Sequence, residues 1–395
     1  MKLTRLKSLC LTLSLLLFFS GGVMAQVNNT TQSTSHTTIQ DAIDNASDGD
    51  VITVDAGTYN EILLIDKSIS LFGPNAGISA VDGTRLAEAR LLQRINISET
   101  ENVTVSGFEF FGVPAPTTWT IYIYGNSNNF TFENNRFIDT EKDAIRSGIT
   151  SSTGNITVRG NLIEGITNTL ASGILLGGIF GTSVIADNRI DGAVGGVPTT
   201  YAGIQTPSAT DLIISGNEIL NTTNQGLQIA GTADNVRIEN NTISNTNTSE
   251  DTDKGAIRLY GTDFFGPIII TGNTLIGSYN GVAVRNGEDL DGIDILVENN
   301  DLSGNSNFAI YNGADNGALD APCNWYGSTD PVEVANSVEG EVTNVEPFLM
   351  TNDLENPICG VQDTEPLPAM DGTKKAALML IVLGLVVVLG YRRMA

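Results

Sequence analysis

"VRIENNTI" (236–243) and "IIITGNTL" (268–275) decide how this chain is read. In each, β-branched or aliphatic residues alternate over a short run. A Gly or Asn follows, then an Asn, then one residue and another aliphatic. Alternation with period two marks a half-buried strand. The Gly or Asn before the second Asn allows the left-handed backbone that a tight corner needs. The pattern recurs at "FTFENNRF" (130–137), "ITVRGNLI" (156–163), "VIADNRI" (184–190), "LIISGNEI" (212–219) and "ILVENNDL" (295–302). Its second-position Asn falls at 135, 161, 188, 217, 241, 273 and 300, and Asn324 continues the series.

A repeat of about 27 residues with two or three short strands and no helical period cannot cover its own apolar face. Stacking successive units covers it and pairs each strand with the next unit. The spacing therefore predicts a parallel solenoid. Residues 50–345 give roughly eleven coils at ~4.8 Å each, a rod about 50 Å long. Stacked Asn side chains can bond one another along the axis, as amide ladders do. A β-propeller would need antiparallel hairpins and blades of about 40 residues, neither of which is evident.

A second register follows each Asn: "DAIRSG" (143–148), "SGILLGG" (172–178), "AGIQT" (202–206), "QGLQIAG" (225–231), "GAIRLYG" (255–261), "NGVAVRN" (280–286) and "FAIYNG" (308–313). With its aliphatics pointing inward, the intervening residues point outward. They form the line Tyr122, Arg146, Leu175, Gln205, Gln228, Arg258, Ala283 and Tyr311, with Tyr124, Tyr260 and Arg285 beside it.

Across most of residues 38–349 the chain resembles the right-handed parallel β-helix repeat proteins of exported bacterial origin. "IQDAIDNASDGDVITVDAGTYNEILLIDKSISLFGPNAGI" looks like their first coil, and its start, Ile39 to Ala46, reads as a short amphipathic helix. The resemblance implies that this helix caps the open end. "CNWYGSTDP…GEVTNVEPFL" resembles the closing segment of the family. Asn324 is then the last rung, and Trp325 and Tyr326 are expected to plug the final apolar coil. The resemblance specifies a fold and not a function, since the family includes pectin- and alginate-active enzymes, phage tailspikes and adhesins.

The two ends read differently from the repeat. Residues 1–25 form a signal peptide, with Lys2, Arg5 and Lys7 ahead of an apolar core and Val23-Met24-Ala25 before the cleavage point. Residues 26–37 read as a polar, solvated linker and 350–375 as an acidic, Pro-containing one. Residues 376–391 form a hydrophobic anchor or sorting-signal helix, and 392–395 a basic cytoplasmic tail. "LPAMDG" (367–372), the apolar run and Arg392-Arg393 loosely resemble the PEP-type and IPTL-type sorting tails of bacterial envelope proteins. An exported, envelope-anchored protein is expected, membrane-bound or released by tail processing. Disulfides are compatible with that compartment, and Cys323 with Cys359 is the pair that remains after cleavage.

The chain holds 20 Lys and Arg against 45 Asp and Glu, a formal charge of −25. That argues against nucleic acid, whose affinity rests on basic residues. The only histidine is His36, which speaks against Ser-His-Asp machinery and His-based zinc. The outward Tyr, Arg and Gln suit a polysaccharide or cell-surface glycan: rings stack on sugar faces, while Arg and Gln bond hydroxyls or carboxylates. The expected glycan-binding residues are Tyr122, Tyr124, Arg146, Gln205, Gln228, Arg258, Tyr260, Arg285 and Tyr311. "KDAIR" (142–146) and "KGAIR" (254–258) offer the alternative of a lyase acting on an acidic polysaccharide, with Lys254, Arg258, Lys142 and Arg146 as catalytic candidates. Glu250, Asp251 and Asp253 are the calcium candidates; no other cofactor is expected. The third alternative is an adhesin or passive spacer scaffold.

Overall fold

The computed structural model describes residues 26–360, apart from 115–118, 126, 149–152 and 248–249. The expected signal peptide and the anchor helix with its basic tail lie outside the described residues. Among the described residues no helix is long and apolar enough to cross a membrane.

The repeat folds into a parallel β-solenoid with three sheet faces. One face is a nine-stranded parallel sheet running from Gly57–Tyr59 to Thr274–Ile276. The other two faces merge into one 24-stranded sheet, because strands such as Ala202–Ser215 and Gln225–Glu239 run through the bend between them. Neighbouring coils pair in register over long stretches, for example Leu212 to Ser215 on Val236 to Glu239. Every second residue points inward, so one continuous core of Ile, Val, Leu and Phe fills the rod, with Phe110 stacked on Phe137 at 4.7 Å.

The nine-stranded face corresponds to about nine regular turns, fewer than the eleven obtained by division. Its last two steps shrink to single bridges, Thr274 with Asp301 and Asp301 with Trp325. The difference goes into chain that adds length without rise. Residues 74–88, for instance, leave the first coils and lie over the corner of later ones, where the Ala80 N–H donates to the Gly160 carbonyl at 3.0 Å.

The corner of each coil carries the Asn ladder. Asn135, 161, 188, 217, 241, 273, 300 and 324 are all buried. At each step the backbone N–H and the Nδ2 of one Asn donate to the Oδ1 of the next, as from Asn217 to Asn241 at 2.9 Å for both. The Nδ2 also donates to a carbonyl of the preceding coil, as from Asn241 to Ile214 at 2.9 Å. A buried amide is tolerated when its donors and acceptor are all used, and this geometry uses them. The ladder begins at Asn135 because Phe108 occupies the rung below, where only its backbone N–H can donate.

The ends depart from expectation. Residues 26–37 are not a solvated linker: β1 (Val27–Asn29) and β2 (Thr34–His36) form a hairpin, and β1 adds antiparallel to β3 (Val51–Val54) at the edge of the sheet. The reason is local bonding: buried Asn29 donates to Asp50 at 2.7 Å, and Val27 is fully buried. The amphipathic segment forms only the six-residue α1 (Ile39–Asp44), with Ile39, Ala42 and Ile43 buried. It packs beside this hairpin, so the expected helical cap is replaced by an antiparallel edge with a short helix against it.

At the other end Tyr326 is buried and its hydroxyl donates to the Ala321 carbonyl at 3.2 Å. Trp325 does not plug the core. It follows Asp301 in an outward row, because alternation along the strand sends the residue after Asn324 outward. Cys323 and Cys359 are disulfide-bonded with Cα atoms 5.4 Å apart, tying residues after the last coil back to it.

Candidate functional site

The outward line read from the second register is one row of the sheet. Tyr122 pairs with Arg146, Arg146 with Leu175, Leu175 with Gln205, and Gln205 with Gln228. Gln228 then pairs with Arg258, Arg258 with Ala283, and Ala283 with Tyr311. Parallel in-register pairing makes this a straight track along the axis, with neighbours ~4.8 Å apart.

The track does not form one uniform surface. It forms two clefts. The larger, about 520 Å³, is floored by Gln205, Gln228 and Arg258 and walled by Tyr201, Tyr260 and Arg285, with Asp251, Asp253, Lys254 and Asn286 at its rim. Two guanidinium groups lie over the Tyr260 ring, Arg258 at 4.9 Å and Arg285 at 4.4 Å from its centroid. Arg258 is almost entirely buried. Its Nη2 donates to Asp253 Oδ2 at 2.8 Å, its Nε to the Asp253 carbonyl at 3.0 Å, and its Nη1 to Gln228 Oε1 at 3.3 Å. Arg285 keeps 42% of its side chain exposed and reaches buried Glu288 only at 3.5 Å. Burial raises the Glu288 carboxyl above its ordinary range, and Arg285 opposes that.

Lys254 is committed as well. Its Nζ donates to Asn224 Oδ1 at 2.7 Å and pairs with Asp251 at 2.8 Å. The bond from Lys254 is the main cause holding the Asp251 carboxyl below its ordinary range. A lyase base needs a free lone pair, and both "KGAIR" cations are held by carboxylates here. Two of the calcium candidates are taken up by cations: Asp251 pairs with Lys254 and Asp253 with Arg258. Among the described residues no group of three metal-binding side chains comes together.

The smaller cleft, about 240 Å³, is lined by Trp119, Lys142, Asp143, Arg146, Asn168 and Leu170, with Ala171 behind. Trp119 sits 4.5 Å from Tyr122, which meets Tyr124 edge-on at 4.2 Å. Arg146 lies 4.2 Å from the Trp119 ring and Lys142 at 5.8 Å. Asp143 is buried beneath, accepting from Arg146 at 2.7 Å and from the Ser172 N–H at 2.6 Å. Desolvation pushes its carboxyl above the ordinary range, with Arg146 pulling the other way.

Five of the expected glycan residues thus meet in the larger cleft: Gln205, Gln228, Arg258, Tyr260 and Arg285. Arg146 enters the smaller one, with Tyr122 and Tyr124 beside it. Tyr311 stands at the edge of the larger cleft, its hydroxyl donating to Asn286 at 2.6 Å. Sequence reasoning missed Tyr201 and Trp119. Neither lies on a repeat strand, and each precedes one in a connecting segment. The signal available was only an aromatic just ahead of the second register, as in "YAGIQ" (201–205) and "WTIYIY" (119–124).

The family model for the right handed beta helix region matches residues 93–302. The chain belongs to this family. No curated protein matches the sequence. Among solved structures, the Dettilon tailspike protein is 15% identical with a TM-score of 0.39, covering 69% of this chain and 55% of its own. This chain therefore spans about half the length of that tailspike. An alginate lyase from Paenibacillus sp. str. FPU-7 is 12% identical, with a TM-score of 0.41 over 77% of this chain and 95% of that one. The pectate lyase Pel9A is 12% identical, with a TM-score of 0.39 over 77% and 71%. These likenesses extend no activity to the present β-helix.

Proposed function

We propose that this β-helix protein is exported, held at the cell envelope by its apolar tail, and binds a polysaccharide or cell-surface glycan through the larger cleft. The observation that carries the reading is the convergence on one open cleft of Gln205 and Gln228 amides, the half-exposed Arg285 and the ring of Tyr260. Side-chain amides and a guanidinium match sugar hydroxyls and carboxylates, and the ring offers a stacking face. The pairing of Lys254 with Asp251 favours binding over lyase chemistry.

A glycan array tests it. Arg258 is unsuitable as a probe, because it is part of the buried framework. Tyr260→Ala with Arg285→Ala keeps that framework and is expected to lose the wild-type signal. Wild-type silence across the array, or a signal unchanged in the double variant, would refute the reading.

A further inference from the structure

His36, the only histidine of the chain, is held on both sides of its ring. Its Nδ1 lies 2.8 Å from Asp41 Oδ2, and its Nε2 lies 3.0 Å from Thr34 Oγ1. The Asp41 carboxylate can only accept, so Nδ1 carries the proton and Nε2 presents its lone pair to the Thr34 hydroxyl. A hydroxyl, an imidazole and a carboxylate, each within hydrogen-bond reach of the next, activate an alcohol as a nucleophile. One histidine suffices once folding brings its partners together. Thr34 and His36 alternate onto one face of β2, and Asp41 comes from the first turn of α1, packed beside the hairpin.

The parts are placed as that chemistry requires. The His36 side chain is only 10% exposed, which fixes the ring, whereas Thr34 is open to solvent. The second Asp41 oxygen, Oδ1, accepts from Asn45 Nδ2 at 3.1 Å, and this holds the carboxylate toward the ring. Neither bond of His36 is needed to cap α1, because the Thr38 hydroxyl already accepts from the Asp41 N–H at 3.1 Å. A donor for a developing oxyanion is also at hand. The Gln26 carbonyl accepts from the Asp55 N–H and the Thr30 N–H donates to Val51, both at 2.9 Å, so these residues turn their main-chain groups toward β3. Alternation turns those of Val27 and Asn29 toward β2, where they face His36 and Thr34. The N–H of Ser35, between the two, then points out from the free side of the strand. Among the described residues β2 pairs with β1 alone.

We infer that Thr34, His36 and Asp41 form a hydrolytic site for short-chain acyl esters, separate from both clefts. Thr34 Oγ attacks the ester carbonyl carbon while His36 Nε2 takes the hydroxyl proton, with the Ser35 N–H as donor to the carbonyl oxygen. The bond to the ester oxygen breaks, and the alcohol leaves with the proton from His36. Water then attacks the acyl-Thr34, giving a proton to His36, which returns it to Thr34 Oγ as the carboxylic acid departs. Thr34 lines neither cleft, and its neighbours Ser33, Ser35 and His36 are polar. An acetyl-sized group therefore fits the site, and a long apolar chain gains nothing there.

The test is hydrolysis of p-nitrophenyl acetate by the folded protein, with the octanoate ester for comparison. Thr34→Ala and His36→Gln should each lower the acetate rate by about 10²-fold or more, and Thr34→Ser should keep it. Asp41→Asn, which acts through the ring, should lower kcat and leave KM nearly unchanged. Peptide mass mapping of quenched protein should find the acetyl group on Thr34. A wild type no faster than His36→Gln would overturn the site. Activity lost in His36→Gln but kept in Thr34→Ala would mean bare imidazole catalysis and overturn it too. Faster cleavage of octanoate than of acetate would overturn the short-chain assignment. Thr34→Ser alters a single exposed methyl group and guards against misfolding of the other variants. Glycan binding should persist in all of them, so this inference and the glycan reading stand or fall separately.

Discussion

Replacing Asn241 by Ala removes the middle of the amide ladder. Asn241 Oδ1 accepts from both the backbone N–H and the Nδ2 of Asn217, and its own Nδ2 donates to Asn273 Oδ1 and the Ile214 carbonyl. Some groups keep partners. Asn217 Nδ2 still reaches the carbonyls of Ile185 and Ser215, and Asn273 Oδ1 still accepts from the backbone N–H of residue 241. The backbone N–H of Asn217 loses its acceptor inside a site closed to water. One orphaned buried donor costs ~1–3 kcal/mol, and the three other lost bonds ~1 kcal/mol each, so about 4–6 kcal/mol in total. Coils couple mainly to their neighbours, so the loss should concentrate on those next to the broken rung. Hydrogen exchange should show it as a drop in protection of about 10²-fold or more around residues 212–276, with the terminal coils less affected. Urea unfolding supplies the global measure. Thr242→Ala, on the exposed side of the same corner, is the control and should stay within ~0.5 kcal/mol of wild type. An Asn241→Ala midpoint equal to that of Thr242→Ala would refute the claim that the ladder holds the corner together.

Further outcomes follow from the pairings around the clefts and the closing segment. Arg258→Ala strips the partner from nearly buried Asp253 and should destabilise by a large part of the ~3–5 kcal/mol of a broken buried pair, whereas half-exposed Arg285→Ala, which gives up only a long 3.5 Å contact to Glu288, should cost less; thermal melts of the two check the order, and equal losses would remove the distinction between framework and ligand contact. The carboxyls should titrate in opposite directions by NMR, Asp251 below the ordinary aspartate range and Asp143 above it. The lowered Asp251 supports its loop above the unfolded-state value and loses that support as pH falls through its folded value. The raised Asp143 acts in reverse, its ionisation weakening the fold as pH climbs from the unfolded value toward the folded one; titration of both in the ordinary range would remove the pairing argument. Reducing the Cys323–Cys359 bond, whose partners are 36 residues apart, should cost ~3–4 kcal/mol in the chain-entropy model. Hydrogen exchange should then loosen residues 347–359 and leave the clefts unchanged.

The solenoid, the ladder from Asn135 to Asn324 and the outward row from Tyr122 to Tyr311 were legible in the sequence by itself. The physical reason is that a parallel coil adds a fixed rise and pairs like with like, so spacing along the chain becomes position along the axis. The segments between repeat strands obey no such rule. Where Trp119 and Tyr201 lie against the row, which carboxylates engage Lys254, Arg258 and Arg146, and how residues 26–37 join the sheet depend on loop paths and on bonds between coils. Only the tertiary structure decided these. It turned the outward row into two cation–aromatic clefts, drew Asp251 and Asp253, two of the acids expected to hold calcium, into ion pairs, and closed the first coil with an antiparallel hairpin. Alternation told which residues face out; folding told which of those are left free to meet a ligand.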